Sequence, residues 1–211
     1  NGTKKELYRK FTPIIIEGKV EATSALNNTT SETNQGNINI RAYLGDIYVD
    51  GGTIEAKAGP NGEVKSVAGN VTLDAAQNIT IGFETESARA DDPTTDAKND
   101  SERGYYKPKV DTSGKFVNGT AANISGTNIT LTSGSGANTI SMSAVNNLTA
   151  SDAVNFETAE MDFAGGTITA NKISASGQLN VTGGSLSRTS GGSLTISGAE
   201  GLTLGAGAGI S

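Results

Sequence analysis

The sequence predicts an all-β protein, built as a β-solenoid of the parallel β-helix type or as otherwise stacked repetitive strands. Apolar residues occur in pairs at positions i and i+2, which places both on one face of a strand. These pairs recur along the chain at short intervals, and Gly and Asn dominate the segments between them, where they tolerate positive φ angles. The same spacing is also compatible with an antiparallel β-sandwich, which stays open as the alternative.

A degenerate repeat of strand, short polar turn and strand runs through most of the chain. It reads GNINIRA from Gly36 and DIYV from Asp46, GNVTLDA from Gly69 and NITI from Asn78, NTISMSA from Asn138 and NLTA from Asn147, and GSLTISG from Gly192 and GLTL from Gly201.

The second half of the chain carries the repeat most regularly. Its apolar pairs are Ile129/Leu131, Ile140/Met142, Val154/Phe156, Met161/Phe163, Leu179/Val181, Leu194/Ile196 and Leu202/Leu204. Three such strands predict a rung of roughly 20 to 25 residues, which is typical of a parallel β-helix.

The composition restricts the thickness of the core and the kinds of partner that the chain can bind. Only 35% of the residues are hydrophobic and 5% are aromatic, so we expect a thin core that grows in length rather than in girth. The net charge of -6 argues against nucleic acid, which requires a basic face. No apolar run approaches the roughly 18 to 20 residues of a membrane span, so none is predicted.

The chain begins at Asn1, without an initiator Met, as a processed mature chain or an excised fragment would. We therefore expect a secreted protein, located outside the cell or on its surface. The absence of Cys leaves the redox compartment open, because disulfides mark oxidising compartments but their absence marks nothing.

Four segments are predicted. Residues 1–17 form a basic N-terminal arm and an edge strand, residues 18–83 and 119–211 are β repeat regions, and residues 84–118 are a charged insertion loop. Insertions in solenoids project from one face and often carry recognition.

The residues available for catalysis are few. The chain has neither His nor Cys, and therefore lacks the commonest general base, the thiol nucleophile and the usual nitrogen and sulfur ligands of zinc. Carboxylate chemistry of the kind used by polysaccharide-active β-helix enzymes is a minor alternative, through Asp152, Glu157, Glu160 and Asp162. Strand alternation puts Glu160 and Asp162 opposite Met161 and Phe163, which indicates solvated outward carboxylates, and no enzyme is predicted.

A weak candidate for Ca²⁺ binding is formed by Asp91, Asp92, Asp96 and Asp100. It lacks the spacing of an EF-hand and of a calcium-binding β-roll, so a solvated loop is the favoured interpretation and no other cofactor is predicted. Glycosylation acceptors are dense, but Asn before a strand is also ordinary turn chemistry. Asn28, Asn99 and Asn118 are the acceptors expected to carry sugar, if the source organism glycosylates its surface.

The stretches Gly36 to Gly52, Gly69 to Ile81 and Gly192 to Leu204 share the cadence Gly-Asn-Val-Thr-Leu followed by Asn-Ile-Thr-Ile. This cadence resembles the repeat regions of filamentous-haemagglutinin-like adhesins of the two-partner-secretion type, and of related microbial sheath and filament proteins. The resemblance covers about two thirds of the chain. It implies a right-handed β-helix, export, and adhesion or self-association at the cell surface.

The ends of the chain suggest assembly. Leu202 and Leu204 form a final strand without a charged or helical cap, which predicts that a neighbour covers it. Strand addition through Thr12, Pro13, Ile14, Ile15 and Ile16 would supply such a contact. The sequence thus predicts a self-assembling extracellular structural protein of a microbial filament, sheath or coat, an open head-to-tail polymer of its own copies. The alternative is an adhesin stalk that binds glycans or proteins.

Overall fold

The computed structural model describes residues 13–26, 33–59, 67–88, 105–143, 146–190 and 193–211. Across these ranges the regular structure consists of β-strands, and they contain no helix that could cross a membrane. The prediction of an all-β protein is confirmed.

The strands are, in chain order, β1 (Ile14–Ile16), β2 (Lys19–Thr23), β3 (Ala25–Leu26), β4 (Thr33–Asn34), β5 (Ile38–Ala42), β6 (Ile47–Val49), β7 (Thr53–Lys57), β8 (Val71–Ala75), β9 (Ile79–Ile81), β10 (Thr85–Ala88), β11 (Tyr105–Pro108), β12 (Asn123–Thr132), β13 (Thr139–Met142), β14 (Asn147–Glu157), β15 (Glu160–Phe163), β16 (Thr167–Thr169), β17 (Lys172–Ala175), β18 (Gln178–Val181), β19 (Ser185–Ser187), β20 (Thr195–Gly198), β21 (Gly201–Leu204) and β22 (Gly209–Ile210).

Two long parallel sheets run the length of the molecule. The first, sheet A, has the order β1-β6-β9-β13-β15-β18-β21. The second, sheet B, has eleven strands in two columns: β2-β7-β12-β14-β16-β19-β22, and β5-β8-β12-β14-β17-β20. Neighbouring strands in both sheets are parallel, whereas β3 with β4 and β10 with β11 are antiparallel. This is the stacked parallel order of a β-solenoid, one of the two arrangements that the spacing allowed.

One turn of the solenoid, here called a rung, takes one strand from sheet A and one from each column of sheet B. In the third and fourth rungs a single long strand, β12 or β14, passes through both columns. The register of β12 against β14 shifts between Gly126 and Asn128, where the sheet bends from one column to the other. The successive rungs are β1/β2/β5, β6/β7/β8, β9/β12, β13/β14, β15/β16/β17, β18/β19/β20 and finally β21/β22.

Rung length differs between the two halves of the chain. In the second half, Met161 pairs with Leu179 and Leu179 with Leu202, so that one rung takes roughly 20 residues, as predicted. The earlier rungs are longer. The hydrogen bonds from Asn78 to Asp46 and from Thr139 to Asn78 join equivalent positions of successive rungs that are 32 and 61 positions apart in the sequence. The extra length is inserted at the corners between strands.

The core is a set of axial columns of aliphatic side chains, one residue per rung. Parallel strands lie about 4.8 Å apart, so each inward side chain stacks on the equivalent one of the next rung. The fully buried column of sheet A contains Ile47, Ile79, Ile140, Met161 and Leu179. The predicted inward pairs of the second half are buried as far as Leu179/Val181, which confirms the i, i+2 interpretation for those strands.

Polar side chains form a second kind of column at the entrance to the strands. The backbone N–H of Asn70 donates to Oδ1 of Asn37 (2.8 Å) in the preceding rung. In sheet A, the N–H of Asn78 donates to Oδ1 of Asp46 (2.9 Å), and the N–H of Thr139 to Oδ1 of Asn78 (2.9 Å). Each side-chain oxygen thus accepts a hydrogen bond from a backbone N–H group at the start of a strand.

The outer face of sheet A is covered in its first half. The side chains of Tyr48, Thr80 and Ser141 point away from the core, yet these residues are 6%, 7% and 9% exposed. Burial, together with the adjacent carboxylate of Asp46, raises the pKa of the Tyr48 hydroxyl, which donates to Asp46 Oδ2 (3.0 Å). In the later rungs the equivalent residues, Asp162 and Asn180, are half-buried.

Because inward and outward residues alternate along a strand, substitutions at neighbouring positions of one strand should differ in their effect on stability. Leu131→Ala removes a fully buried side chain from β12 and should lower the free energy of unfolding by about 2 to 5 kcal/mol. Thr130→Ala, its outward neighbour, should change it by less than about 0.5 kcal/mol. Urea unfolding followed by circular dichroism measures both, and equal losses for the two variants would contradict the inward assignment.

Candidate assembly surface

Three strands lie at the end of the stack, β21 and β22 of the last rung and β20 of the rung before it, and each has one neighbour in the sheets. β20 pairs with β17, β21 with β18, and β22 with β19. Among the described residues no strand pairs with their other edges. Such edges present unpaired backbone N–H and C=O groups, which are a template for strand addition.

The side chains of the last rung follow the core columns, but nothing in the described part of the chain covers them. Leu202, Leu204 and Ile210 are 42%, 47% and 54% exposed, whereas Leu179 and Leu186, one rung earlier in the same columns, are 1% and 0% exposed. The inward pair Leu194/Ile196 is half-buried. The rung therefore ends in an open apolar surface, which we call the open rung (residues 194–210).

The first rung is different. Its strands β1, β2 and β5 also pair on one side in the described structure, but the core residues Ile16, Ile38 and Ala42 are 7%, 5% and 6% exposed. The other inward residues of these strands, Ile14, Val20, Ala22 and Ile40, are half-buried. Among the described residues, the inward side chains of the first rung are therefore less exposed than Leu202, Leu204 and Ile210 of the last rung, although most of them are only half-buried.

The residues predicted to mediate assembly lie at opposite ends of sheet A. Ile14, Ile15 and Ile16 form β1, the first strand of that sheet, and Pro13 before them is buried. Leu202 and Leu204 lie in β21, the last strand. The fold does not bring these two segments together within one chain. Thr12 lies outside the described residues.

The open rung is almost free of charge. Glu200 is the sole ionisable side chain between Ser193 and Ser211. The outward residues of its strands are Thr195, Ser197 and Thr203, which are exposed hydroxyl residues. The first rungs, in contrast, carry a cluster of ion pairs on the outer face of sheet B.

That cluster joins β2 to β7. Glu21 forms ion pairs with Lys19 and with Lys57 (2.8 Å), and Lys57 also contacts Glu55 (3.2 Å). Hydrogen bonds from Lys19 and then Lys57 lower the pKa of the Glu21 carboxyl from 4.5 to about 2. Hydrogen bonds to Glu21 and then Glu55 raise the pKa of Lys57. The groups are solvent-exposed, so the cluster contributes little to overall stability.

The insertion between β9 and β12 is tied to the solenoid at its base. Thr85 donates to Oδ2 of Asp50 through its backbone N–H (3.0 Å) and its hydroxyl (3.1 Å). The rings of Phe83 and Phe116 pack with their centroids 5.2 Å apart. Phe116 nevertheless remains 47% exposed.

Asn146 closes the corner where the insertion leaves and rejoins the solenoid. Its fully buried side chain accepts from the backbone N–H of Ala122 (2.9 Å) and donates to the carbonyl oxygens of Ile81 (3.0 Å) and Ser143 (3.1 Å). The corner leaves no room for a side chain beside it, since a Cβ on Gly82 would overlap the Asn146 amide. Gly82 also has φ of +72°, a conformation that favours glycine.

The outer part of the insertion is a small antiparallel turn. Lys109 pairs with Glu84 (2.7 Å), which raises the pKa of the lysine. At the tip, Oδ1 of Asp111 accepts from the hydroxyl of Ser113 (2.7 Å) and from the backbone N–H groups of Ser113 and Lys115. These hydrogen bonds, with that from the Ser113 hydroxyl the largest, lower the pKa of Asp111.

The four carboxylates considered for catalysis do not converge. Asp152 and Glu157 lie on β14 of sheet B, while Glu160 and Asp162 lie on β15 of sheet A. Glu160 and Asp162 point outward, opposite the buried Met161 and Phe163, as predicted. Both accept hydrogen bonds from the amide nitrogen of Asn180, at 2.7 Å and 3.1 Å.

The remaining predicted sites have different outcomes. Asn118 is exposed, beside the base of the insertion. The Ca²⁺ candidates Asp91, Asp92, Asp96 and Asp100, and the glycosylation candidates Asn28 and Asn99, lie outside the described residues. In the part of the chain that the structure covers, no group of three or more acidic residues is arranged to hold a metal ion.

A shallow groove follows the bend of sheet B. Charged residues of β7, hydroxyl residues of later rungs and small residues at the bend line it, among them Glu55, Lys57, Ser125, Gly126, Thr149 and Thr189. Thr189 is hydrogen-bonded to Asn171 across the adjacent corner. No aromatic ring stands among the described residues of the groove, so a sugar would find hydroxyl and charged partners there but no stacking platform.

Asn146 should be far more important to the fold than its neighbour. Asn146→Ala leaves a buried N–H and buried carbonyl groups without their partner, which should lower the free energy of unfolding by at least about 2 kcal/mol. Asn147→Ala removes an exposed bond to Asn123 and should cost under about 1 kcal/mol. Urea unfolding midpoints compare the two, and a tolerant Asn146 would contradict its role at the corner.

The Glu21 ion pairs predict an abnormal titration. With a folded pKa of about 2, the Glu21 carboxyl signal should stay nearly constant between pH 6 and 3.5 in NMR titration. In the variant Lys19→Met/Lys57→Met it should titrate near 4.5. Because the folded pKa is depressed, the stabilisation is present above pH 4.5 and lost as the pH falls toward 2. Lys115→Met, at the insertion tip, is the control and should leave the Glu21 curve unchanged.

Searches against family models, curated proteins and solved structures found no match to this chain.

Proposed function

We propose that this chain is a structural protein of a microbial surface filament, sheath or coat, secreted from the cell, which assembles with its own copies through β-strand contacts. The single observation that carries the proposal is the continuous parallel stack of sheet A, in which each strand from β1 to β21 pairs with the next and extends the same aliphatic columns. Leu202, Leu204 and Ile210 continue the core columns and are about half exposed, at strands whose outer edges are unpaired in the described structure. Apolar surface of this kind at a sheet edge favours the addition of further strands.

Several properties of the chain are compatible with a structural role. The core consists of columns with one residue per rung, so the fold gains length with each rung. The carboxylates Glu157 and Asp162 lie on different sheets, and we assign the protein no catalytic activity. Open head-to-tail growth would join β21 of one copy to β1 of the next, since these strands are the two ends of the same sheet.

An adhesin segment is the second candidate function. The hydroxyl-lined groove of sheet B and the partly exposed Phe116 on the insertion are the features that favour it. Under this alternative the solenoid is a stalk, and glycans or proteins bind along its side rather than at its end.

Substitutions in the open rung test the assembly proposal. Leu202→Lys/Leu204→Lys puts two ammonium groups on the apolar surface and should abolish oligomers that the unchanged chain forms. Thr203→Lys, on the same strand but pointing outward, should reduce them far less. Sedimentation velocity over a range of concentrations, with electron microscopy of the same samples, measures the effect.

A monomeric chain at every concentration, together with binding to cells or to a glycan array, would refute assembly and support the adhesin alternative. Circular dichroism of each variant establishes that the solenoid is intact. The substituted residues are exposed, so we expect the variants to fold.

A further inference from the structure

The groove at the bend of sheet B lies on interior rungs of the solenoid. Its lining residues come mainly from β7, β12 and β14, which belong to the second, third and fourth rungs. Each of these strands is paired on both sides in the described structure, so the groove does not depend on either end of the stack. It encloses about 500 Å³, within the range of about 300 to 1,000 Å³ that ligand pockets span.

Small residues form the floor of the groove, one on each of the three rungs. Ala56 and Ala150 are 3% and 0% exposed, and Gly126 lies in register with Ala150. A Cβ on Gly126 would lie 2.9 Å from the carbonyl oxygen of Gly69, so the middle rung admits no larger residue. Ala58, which is exposed, also lines the groove. The groove is therefore recessed, and its base is apolar.

Beside the floor, each rung carries one polar side chain. Glu55, Ser125 and Thr149 are in register with one another, and each directly precedes the floor residue of its strand. The hydroxyl groups of Ser125 and Thr149 make no hydrogen bond among the described residues. Successive rungs are about 4.8 Å apart. The groove thus presents one polar group at each such interval, and the two hydroxyl groups are available to a ligand.

The charged residues of the groove are paired with each other and with the rung before. Lys57 contacts Glu55 (3.2 Å) and also Glu21 of the first rung (2.8 Å). The other polar residues that line the groove are Ser and Thr. The chain as a whole has a net charge of -6, which repels polyanions. The groove therefore favours a neutral ligand.

A glycan matches this arrangement better than a polypeptide does. The strands that line the groove have no unpaired edge in the described structure, so strand addition by another chain finds no backbone partner there. Three rungs, at about 4.8 Å each, also offer far less than the roughly 800 Å² that a stable protein complex buries per partner. A pyranose ring has aliphatic hydrogens on its faces and hydroxyl groups around its edge, and its length in an extended glycan is close to the rung spacing.

We propose that the groove binds a linear, uncharged glycan parallel to the solenoid axis, with one pyranose unit on each of the three rungs. The faces of the sugar rings lie on the small floor residues, and hydroxyl groups of two units bond to Ser125 and Thr149. The inference goes beyond the proposed assembly and does not require it, because a single chain carries the whole groove. In a polymer of copies the groove recurs once per chain, so a long glycan would be held at many points.

The length of the glycan tests the fit. No aromatic ring stands among the described residues of the groove, so we expect weak binding to one chain, measured by NMR titration. Cello-oligosaccharides and chito-oligosaccharides are the neutral, extended probes. Affinity should rise about tenfold from the disaccharide to the trisaccharide, and beyond that only by the number of registers that a longer chain offers. Maltotriose, whose linkage curves the chain, should bind more weakly than cellotriose.

Conservative substitutions test the residues. Ser125→Ala/Thr149→Val removes the two free hydroxyl groups and should weaken trisaccharide binding about tenfold, the loss expected for two hydrogen bonds. Thr130→Val is the matched control and should leave the affinity unchanged. Thr130 is also a half-buried, outward residue of β12 whose hydroxyl makes no hydrogen bond among the described residues, but it lies outside the groove. Circular dichroism establishes that each variant is folded.

The inference is wrong if neither oligosaccharide series binds, if binding does not depend on length, or if Thr130→Val weakens binding as much as the double variant does. Stronger binding of trigalacturonate than of cellotriose would contradict a neutral ligand. These outcomes leave the assembly proposal intact, because sedimentation of the chain without glycan measures assembly separately. A chain that stays monomeric yet binds the trisaccharide in the groove would refute assembly alone.

Discussion

The structure depends on the distance between parallel strands. Because successive rungs are about 4.8 Å apart, every inward side chain must stack on the equivalent side chain of the next rung, and the core is a set of columns rather than a volume. Ile79, Ile140 and Met161 show the consequence, since each is fully buried by its two neighbours in the column and by the opposite faces. A residue at an open end loses one of those neighbours. The same spacing therefore explains both the stability of the interior and the exposure of Leu202 and Leu204.

The corners between strands must also stack at the spacing of the rungs. Successive corners are held together by hydrogen bonds, whereas the strands are held together by aliphatic contacts as well. Asn146 binds the chain before and after the long insertion, so the third rung closes although Ile79 and its partner Ile140 are far apart in the sequence. Gly166, in the next rung, has φ of +89° and lies against the backbone of Asn146. One corner thus combines two requirements. Gly82 and Gly166 have no side chain that would overlap Asn146, and Asn146 supplies the hydrogen bonds.

The sequence predicted the elements that repeat. The i, i+2 pairs identified the buried columns, such as Met161/Phe163, because strand alternation is a local property. It could not decide between parallel and antiparallel order, since short spacings allow both.

The role of Asn146 was also missed, because a buried Asn and an exposed one, Asn147, are adjacent and look alike in the sequence. The hydrogen bond between Asn37 and Asn70 could have been predicted, because Asn occurs at the same place before each of these strands. The preference of Asn for turns explained that pattern equally well.

The direction of the hydrogen bonds has a mechanical consequence. In this solenoid the bonds between strands run along the long axis, so a pulling force along the rod loads the rungs in series. Every rung then carries the full force, so the rung that is held by the fewest hydrogen bonds and core contacts opens first. Bending or lateral compression instead distributes the load over many side chains of the columns. Such a rod is stiff as a spacer and extensible as a tether.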